Sequence, residues 1–424
     1  MKMKKKITVV VAAIVLAVCA CIFAAGCQGC GTVTYEVNMN SVSLTTYNSY
    51  TEMISEIRPM VVEVYGEGYK SGSYFTSAGA GVIISKTESA NGYIIVTNQH
   101  VVEDCYDFYV NVLTIADDGT ESTTMYKADF IGGSHERDIA VLSIRSNDEL
   151  SCAEWMDSDD LRVGADVVAI GNPTGTLGGT VTKGIISATS RKIDVEDIGS
   201  MDLIQFDAAI NSGNSGGALF CTVENDGKYT CALAGIVNAG TDDYEGLAFA
   251  IPANDAKFAV ESLLKTYNTD DEIYGYVEGD AGLSLTVDSY TAYKQTLVSS
   301  GGMFNRYTYS DPETMIYVYS TSSGSLSQLI SYETYNSSMQ YQYFHAIRTI
   351  KINDDKEIEV TSADDVYDAL ENVVAGDTLQ LGVERMTVSS GRMIKSGSTE
   401  TLTITAEQYR YTPPSDPASA SSAA

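Results

Sequence analysis

Basic residues are scarce in this chain of 424 residues: 26 Lys and Arg stand against 56 Asp and Glu, a formal net charge of −30. Such a chain repels nucleic acid and anionic lipid, which argues against a nucleic-acid-binding role. Acidity of this kind keeps an extracellular protein soluble and identifies no substrate. Proline is scarce too, 7 residues against 28 tyrosines, and with many β-branched residues this favours strands. Histidine is rarest of the three. Any chemistry that needs an imidazole has only His100, His135 and His345 to draw on. The chain has no internal repeat, and 44% apolar against 19% charged residues is a globular balance, with length for two to four domains.

The first residues stand apart. "MKMKKK" is a basic start, and Ile7 to Ala25 is an uninterrupted apolar run ending in "AAGCQGCG". This resembles a bacterial lipoprotein cleavage site with Cys27 as the lipidated residue, Ala24 standing where leucine is usual. The run is also nearly long enough to cross a bilayer as an uncleaved signal anchor. Either way, residues 1–26 place the rest outside the cytoplasmic membrane, tethered to it, with 27–54 as a polar spacer.

From Met60 onward come short β-rich runs, among them "MVVEVYG", "AGAGVIIS", "GYIIVTN", "DFYVNVLTI" and "IAVLSI". A second group follows, from "DVVAIGN" to "GLAFAIP". Two sets of about six antiparallel strands fit a pair of packed small barrels, closed by a helix in "NDAKFAVESLLKTY". We therefore expect one domain over 55–267, a second β-rich domain with one helix at 362–373 over 268–410, and a disordered Pro/Ser/Ala-rich tail over 411–424.

Residues 211–217 read "NSGNSGG", three glycines around Ser215 between two apolar runs. A plain turn needs one glycine or two. A serine hydroxyl becomes a nucleophile when a histidine takes its proton and a carboxylate orients that histidine. His100 in "IIVTNQHVV" follows a buried strand, where a loop can aim the ring into a cleft. His135 in the charged turn "GGSHERD" is expected to be solvated, and His345 lies in the second block. Asp138 in "RDIAVLSI" is the carboxylate candidate. A lone Asp there is often a strand-start cap, and a lone "GNSGG" can be a turn; the ordered set outweighs both. The order His, Asp, Ser is that of the chymotrypsin fold.

The phrases "TNQH", "DIAVL", "LRVGADVVAIGNPTGTLGGTVTKGIISA", "GNSGG" and "GLAFAIP" resemble the HtrA/DegP family of trypsin-like serine proteases over about residues 55–265. The resemblance implies a mainly β fold, a chymotrypsin-like double antiparallel β-barrel. It also implies His100 as general base, Asp138 as its orienter, Ser215 as nucleophile, and a homotrimer. Gly213, Asn214 and Ser215 form the oxyanion loop, with the Gly213 and Ser215 N–H groups as donors. The residue six before the nucleophile, Ala209, floors the specificity pocket, and Ile236, Val237 and Asn238 wall it, which suits small aliphatic residues before the cut. Asp207 is structural. No metal or cofactor is expected. Substrates would be unfolded, misfolded or envelope polypeptides; the alternatives are a non-catalytic chaperone on the same scaffold and a processing protease with one partner.

"AIRTIKINDDKEIEVTSADDVYDALENVVAGDTLQLGVER" (346–385) resembles the later half of a PDZ domain, an α+β module that binds peptide C-termini by adding a strand to a sheet edge. Ala281-Gly282-Leu283 is then the candidate carboxylate cradle. A longer Tyr/Ser-rich segment departs from that family. Finally, Cys221 and Cys231 flank "TVENDGKYT". A three-residue loop at Asn225-Asp226-Gly227 would set them directly opposite, with Cα atoms about 4.5 Å apart, and a disulfide is expected.

Overall fold

The computed structural model describes residues 45–417 except 71, 88–90, 117, 173–178, 196–197, 212, 241–246, 270–272, 279, 282, 284, 302–303, 322–325, 327–329, 337–338, 371–372 and 390–391. The expected signal region (1–26), Cys27 and Gly282 lie outside the described residues.

Six antiparallel strands close the first barrel in the order β1-β2-β3-β6-β5-β4. They are β1 (Val61–Lys70), β2 (Ser73–Lys86), β3 (Gly92–Thr97), β4 (Cys105–Ile115), β5 (Glu121–Ser134) and β6 (Ile139–Arg145). Closure leaves no unpaired edge. β3 and β6 are apolar nearly throughout because each is covered on both faces. The second barrel repeats the plan with β7 (Asp166–Gly171), β8 (Thr180–Val195), β9 (Gly199–Phe206), β10 (Ala218–Asn225), β11 (Lys228–Gly240) and β12 (Ala248–Pro252), ordered β10-β11-β12-β9-β8-β7. Each barrel has its own apolar core, and a third cluster, with Val168, Phe220, Ile94 and Ile139, joins them.

Two helices seal this joint. In α1 (Tyr50–Ile57) the Ser49 hydroxyl caps the Glu52 N–H, and Met53 and Ile57 are fully buried. The spacer expected to reach residue 54 therefore ends sooner: Tyr47 already pairs with Tyr229 of β11. A four-residue turn, α2 (Gln99–Val102), carries His100, and α3 (Ala253–Thr266) lays Ala256, Ala259, Val260 and Leu263 into the joint.

The remaining strands form one sheet: β13 (Leu285–Gly301), β14 (Phe304–Thr321), β15 (Ile330–Asn336), β16 (Met339–Ile352), β17 (Ile358–Glu359), β18 (Thr378–Ser389) and β19 (Arg392–Thr405). Their order is β14-β13-β19-β18-β16-β15, with β17 on β16. Helix α4 (Ala363–Leu370) covers it with Val366, Tyr367 and Ala369. Helix α4 falls within 362–373, where the sequence predicts one helix. The tail, expected to be disordered from 411, begins in contact: Tyr411 packs against Phe130, and its hydroxyl accepts the Asp104 N–H at 2.9 Å.

The expected disulfide is absent; Cys221 and Cys231 are free thiols. Asp226 and Gly227 take φ of 53° and 75°, the paired left-handed conformations of a two-residue hairpin turn. The closing pair is thus Asn225–Lys228, one residue off the expected register, so Cys221 faces Ala232 and Cys231 faces Thr222. A one-residue slip reverses the face of every side chain. Cys221 turns to the barrel core and Cys231 to the inter-barrel cluster, where burial pushes its thiol up to about 12.

Candidate active site

β3 ends at Thr97 and the chain turns at once through Asn98 and Gln99 into His100. Across from it, the turn between β5 and β6 ends in Asp138, whose φ of 48° is a left-handed conformation that Asp tolerates better than most residues. This turn points the carboxylate back at α2. One oxygen, Oδ1, accepts the His100 backbone N–H at 2.9 Å, and Oδ2 lies 2.8 Å from His100 Nδ1. An acceptor there selects the tautomer with hydrogen on Nδ1 and leaves Nε2 as the base. The Asn98 amide fixes the Asp138 carbonyl at 2.9 Å. The Asp138 side chain is 1% exposed and that of His100 39%, so the pair runs from the interior to a face that substrate can reach. Burial disfavours the imidazolium, but the charge and hydrogen bond of Asp138 outweigh it and raise the His100 pKa.

Ser215 comes from the other barrel, on the loop between β9 and β10, and is itself buried. Its carbonyl accepts the Ala80 N–H of β2 at 2.8 Å, and the Ala80 carbonyl accepts the Thr97 hydroxyl at 2.7 Å. The serine is thereby sewn to the strand that leads to His100. A Cβ on Gly216, whose φ is 84°, would overlap the Ala80 carbonyl and the Thr97 hydroxyl, and one on Gly217 would overlap the Ile170 carbonyl. These two glycines let the loop lie flat across the joint.

Gly213 has φ of 96°, which L side chains rarely adopt. Around it the N–H of Asn214 goes to Asn211 (3.0 Å), that of Gly216 to Val237 (2.8 Å) and that of Gly217 to Asn214 (2.9 Å). Among the described residues, the Gly213 and Ser215 N–H groups donate to none. Asn214, grouped with them in the sequence reading, has spent its N–H within the loop.

The pocket residues divide. Ala209 is exposed on the chain leading to Ser215, and Asp207 beside it accepts the Ile185 N–H at 2.6 Å, a structural role as expected. Ile236 and Val237 are buried in β11. Asn238 is not a pocket wall by its side chain: its amide donates to Asp138 Oδ2 at 2.7 Å. The sequence places it on the right strand but does not show that β11 shifts register against β12 past Val237, where the Asn238 side chain turns to Asp138. His135 is a second correction. It is buried, 3.7 Å from Glu103 and against Tyr409, because the chain after β19 folds back over its turn. His345 is buried in β16, away from this site.

Two barrels with a His–Asp pair on one and a glycine-bound serine on the other define a trypsin-like peptidase fold. The family model of the trypsin-like peptidase domain matches residues 79–226, a span that holds His100, Asp138 and Ser215. The serine protease Do-like HtrA of Bacillus subtilis is 38% identical over 232 residues, 50% of this chain and 48% of the relative. The Do-like HtrB of the same organism is 35% identical over 255 residues, 56% and 52%. A probable periplasmic serine endoprotease, DegP-like, of Rickettsia prowazekii is 43% identical over 189 residues, 44% and 33%. The chain spans a third to about half of the length of these relatives. Over these residues the chain is similar to serine proteases of the HtrA/DegP type.

Proposed function

We propose that this chain is an extracytoplasmic serine endopeptidase, tethered to the membrane by its first residues, that cleaves unfolded, misfolded or envelope polypeptides. The observation that carries the reading is the double hold of Asp138 on His100, through both backbone and ring. Ser215 Oγ attacks the scissile carbonyl while His100 Nε2 takes its proton. Asp138 stabilises the imidazolium, and the Gly213 and Ser215 N–H groups receive the oxyanion. His100 then protonates the leaving amine, and water, deprotonated by the same ring, releases the acyl group from Ser215. No acid at Ala209 favours small or medium aliphatic residues before the cut. The periplasmic names of relatives support the location. By resemblance the protease domains assemble as a trimer, and the sheet of β13–β19 with α4 is a PDZ-like module for peptide C-termini, with Ala281 and Leu283 in its cradle.

The test is a cleavage map on unfolded casein. Wild type should cut after aliphatic residues, and Ser215→Ala should lose activity by several orders of magnitude while keeping its melting temperature. Cleavage by a clean Ser215→Ala preparation would reject the nucleophile, and cuts dominated by Lys and Arg would reject the pocket.

A further inference from the structure

The cradle candidate touches the protease domain at the turn that carries Asp138. The Leu283 backbone N–H donates to the carboxylate of Glu136 at 2.9 Å, two residues before Asp138. The same turn holds the neighbouring Asp280, a buried carboxylate, through the Ser134 hydroxyl at 2.6 Å and the Arg137 guanidinium at 3.2 Å. The turn at 134–137 thus holds both Asp280 and Leu283.

Further along β13, the Val287 N–H donates to the Tyr367 hydroxyl of α4 at 3.3 Å, so this donor faces the helix and not β14. β19 occupies the edge of β13 at Ala292 and Tyr293. An incoming peptide strand would have β13 from Leu285 to Thr291 to run along, with the Leu283 N–H at its start. That donor already holds a carboxylate.

We propose that the Glu136 side chain is a resident occupant of the peptide-carboxylate cradle, so that a free C-terminal carboxylate must displace it and in doing so loosens the turn ending in Asp138. The inference rests on the peptide-binding reading of the module. One N–H cannot serve two carboxylates at full strength, and a hydrogen bond to a charged group is strong enough to weaken a competitor by about tenfold or more.

The experiment uses the full chain carrying Ser215→Ala, to prevent cleavage, with and without Glu136→Ala. A fluorescent hexapeptide ending in valine is titrated with its carboxylate free and again with it amidated. Glu136→Ala should tighten binding of the free-carboxylate peptide by about tenfold or more and leave the amidated one unchanged. Glu136→Gln, which keeps the side-chain shape, should act in the same direction by a smaller factor. In the Ser215→Ala chain, peptide should also speed hydrogen exchange of the Asp138 amide. Equal affinity for the free-carboxylate peptide in all three chains would overturn the occupancy while leaving peptide binding standing. A gain shared by the amidated peptide, or unchanged exchange at saturation, would equally overturn it. No binding by any chain would remove the peptide-binding reading itself.

Discussion

Asp138 is the residue on which the site converges, and its environment holds its carboxylate in place. Three donors meet its carboxylate: the His100 N–H, the His100 ring and the Asn238 amide. Removing Asn238 leaves a buried lone pair unpaired and frees the carboxylate to swing. A hydrogen bond to a charged group contributes about 1.5–3 kcal/mol, so Asn238→Leu should lower kcat/KM on the order of tenfold with little change in KM. Asn238→Asp, which sets a second carboxylate beside the first, should be worse than Leu; steady-state kinetics on a peptide substrate distinguish them. The raised pKa of His100 has two consequences. Catalysis needs the neutral ring, so the acid limb of kcat/KM should lie above the ordinary histidine value of about 6.5, and a pH profile reads it directly. The sign for stability is opposite. Because the folded pKa is the higher one, the His100–Asp138 pair contributes fully below the unfolded value, and that contribution is lost as pH rises through the folded value.

At the scale of elements, the loop between β9 and β10 is built by exclusion of side chains. Gly216→Ala would force a left-handed alanine, about 1–2 kcal/mol, and push its Cβ against the Ala80 carbonyl. The Ala80–Ser215 hydrogen bond lies in the same place. We expect a destabilisation of roughly 2 kcal/mol or more in denaturant melts and a loss of cleavage out of proportion to it, because the bond that breaks is the one placing Ser215. The hairpin after β10 makes the complementary point. Its two-residue Asp226-Gly227 turn decides which way two cysteines face, and a disulfide that the spacing permits is denied by register.

The whole molecule is tied together at the first barrel's outer end. β5 bridges the linker at Gly132–Gly275, and Phe130 meets both Tyr274 and Tyr411 edge to face. Two segments more than a hundred residues apart thus cover one aromatic. Tyr411→Ala should destabilise by about 2 kcal/mol, less than a fully buried aromatic, whereas Tyr411→Phe, losing only the bond from Asp104, should cost about 1 kcal/mol. Melting curves of the two variants measure the difference, and equal melting temperatures for Tyr411→Ala and wild type would show the tail to be a passenger.

Residue order and local pattern carried most of the fold. Alternating apolar runs define strands by their own periodicity, and a serine among glycines with a histidine and an aspartate upstream points to one chemistry, because few residue types can perform it. His100, Asp138 and Ser215 stand out as candidates for that reason, and the structure pairs the first two. What remained hidden depends on register and on distant contacts. Asn238 turns inward where β11 shifts register against β12, His135 is buried by a chain segment that returns from residue 409, and Cys231 faces away from Cys221 because a turn is two residues long rather than three. The cysteine register is a local property of the Asp226-Gly227 turn, whose two-residue length replaces the three-residue loop expected. The other two are fixed by which surfaces remain to be covered once both barrels have closed, and only the tertiary structure decides that.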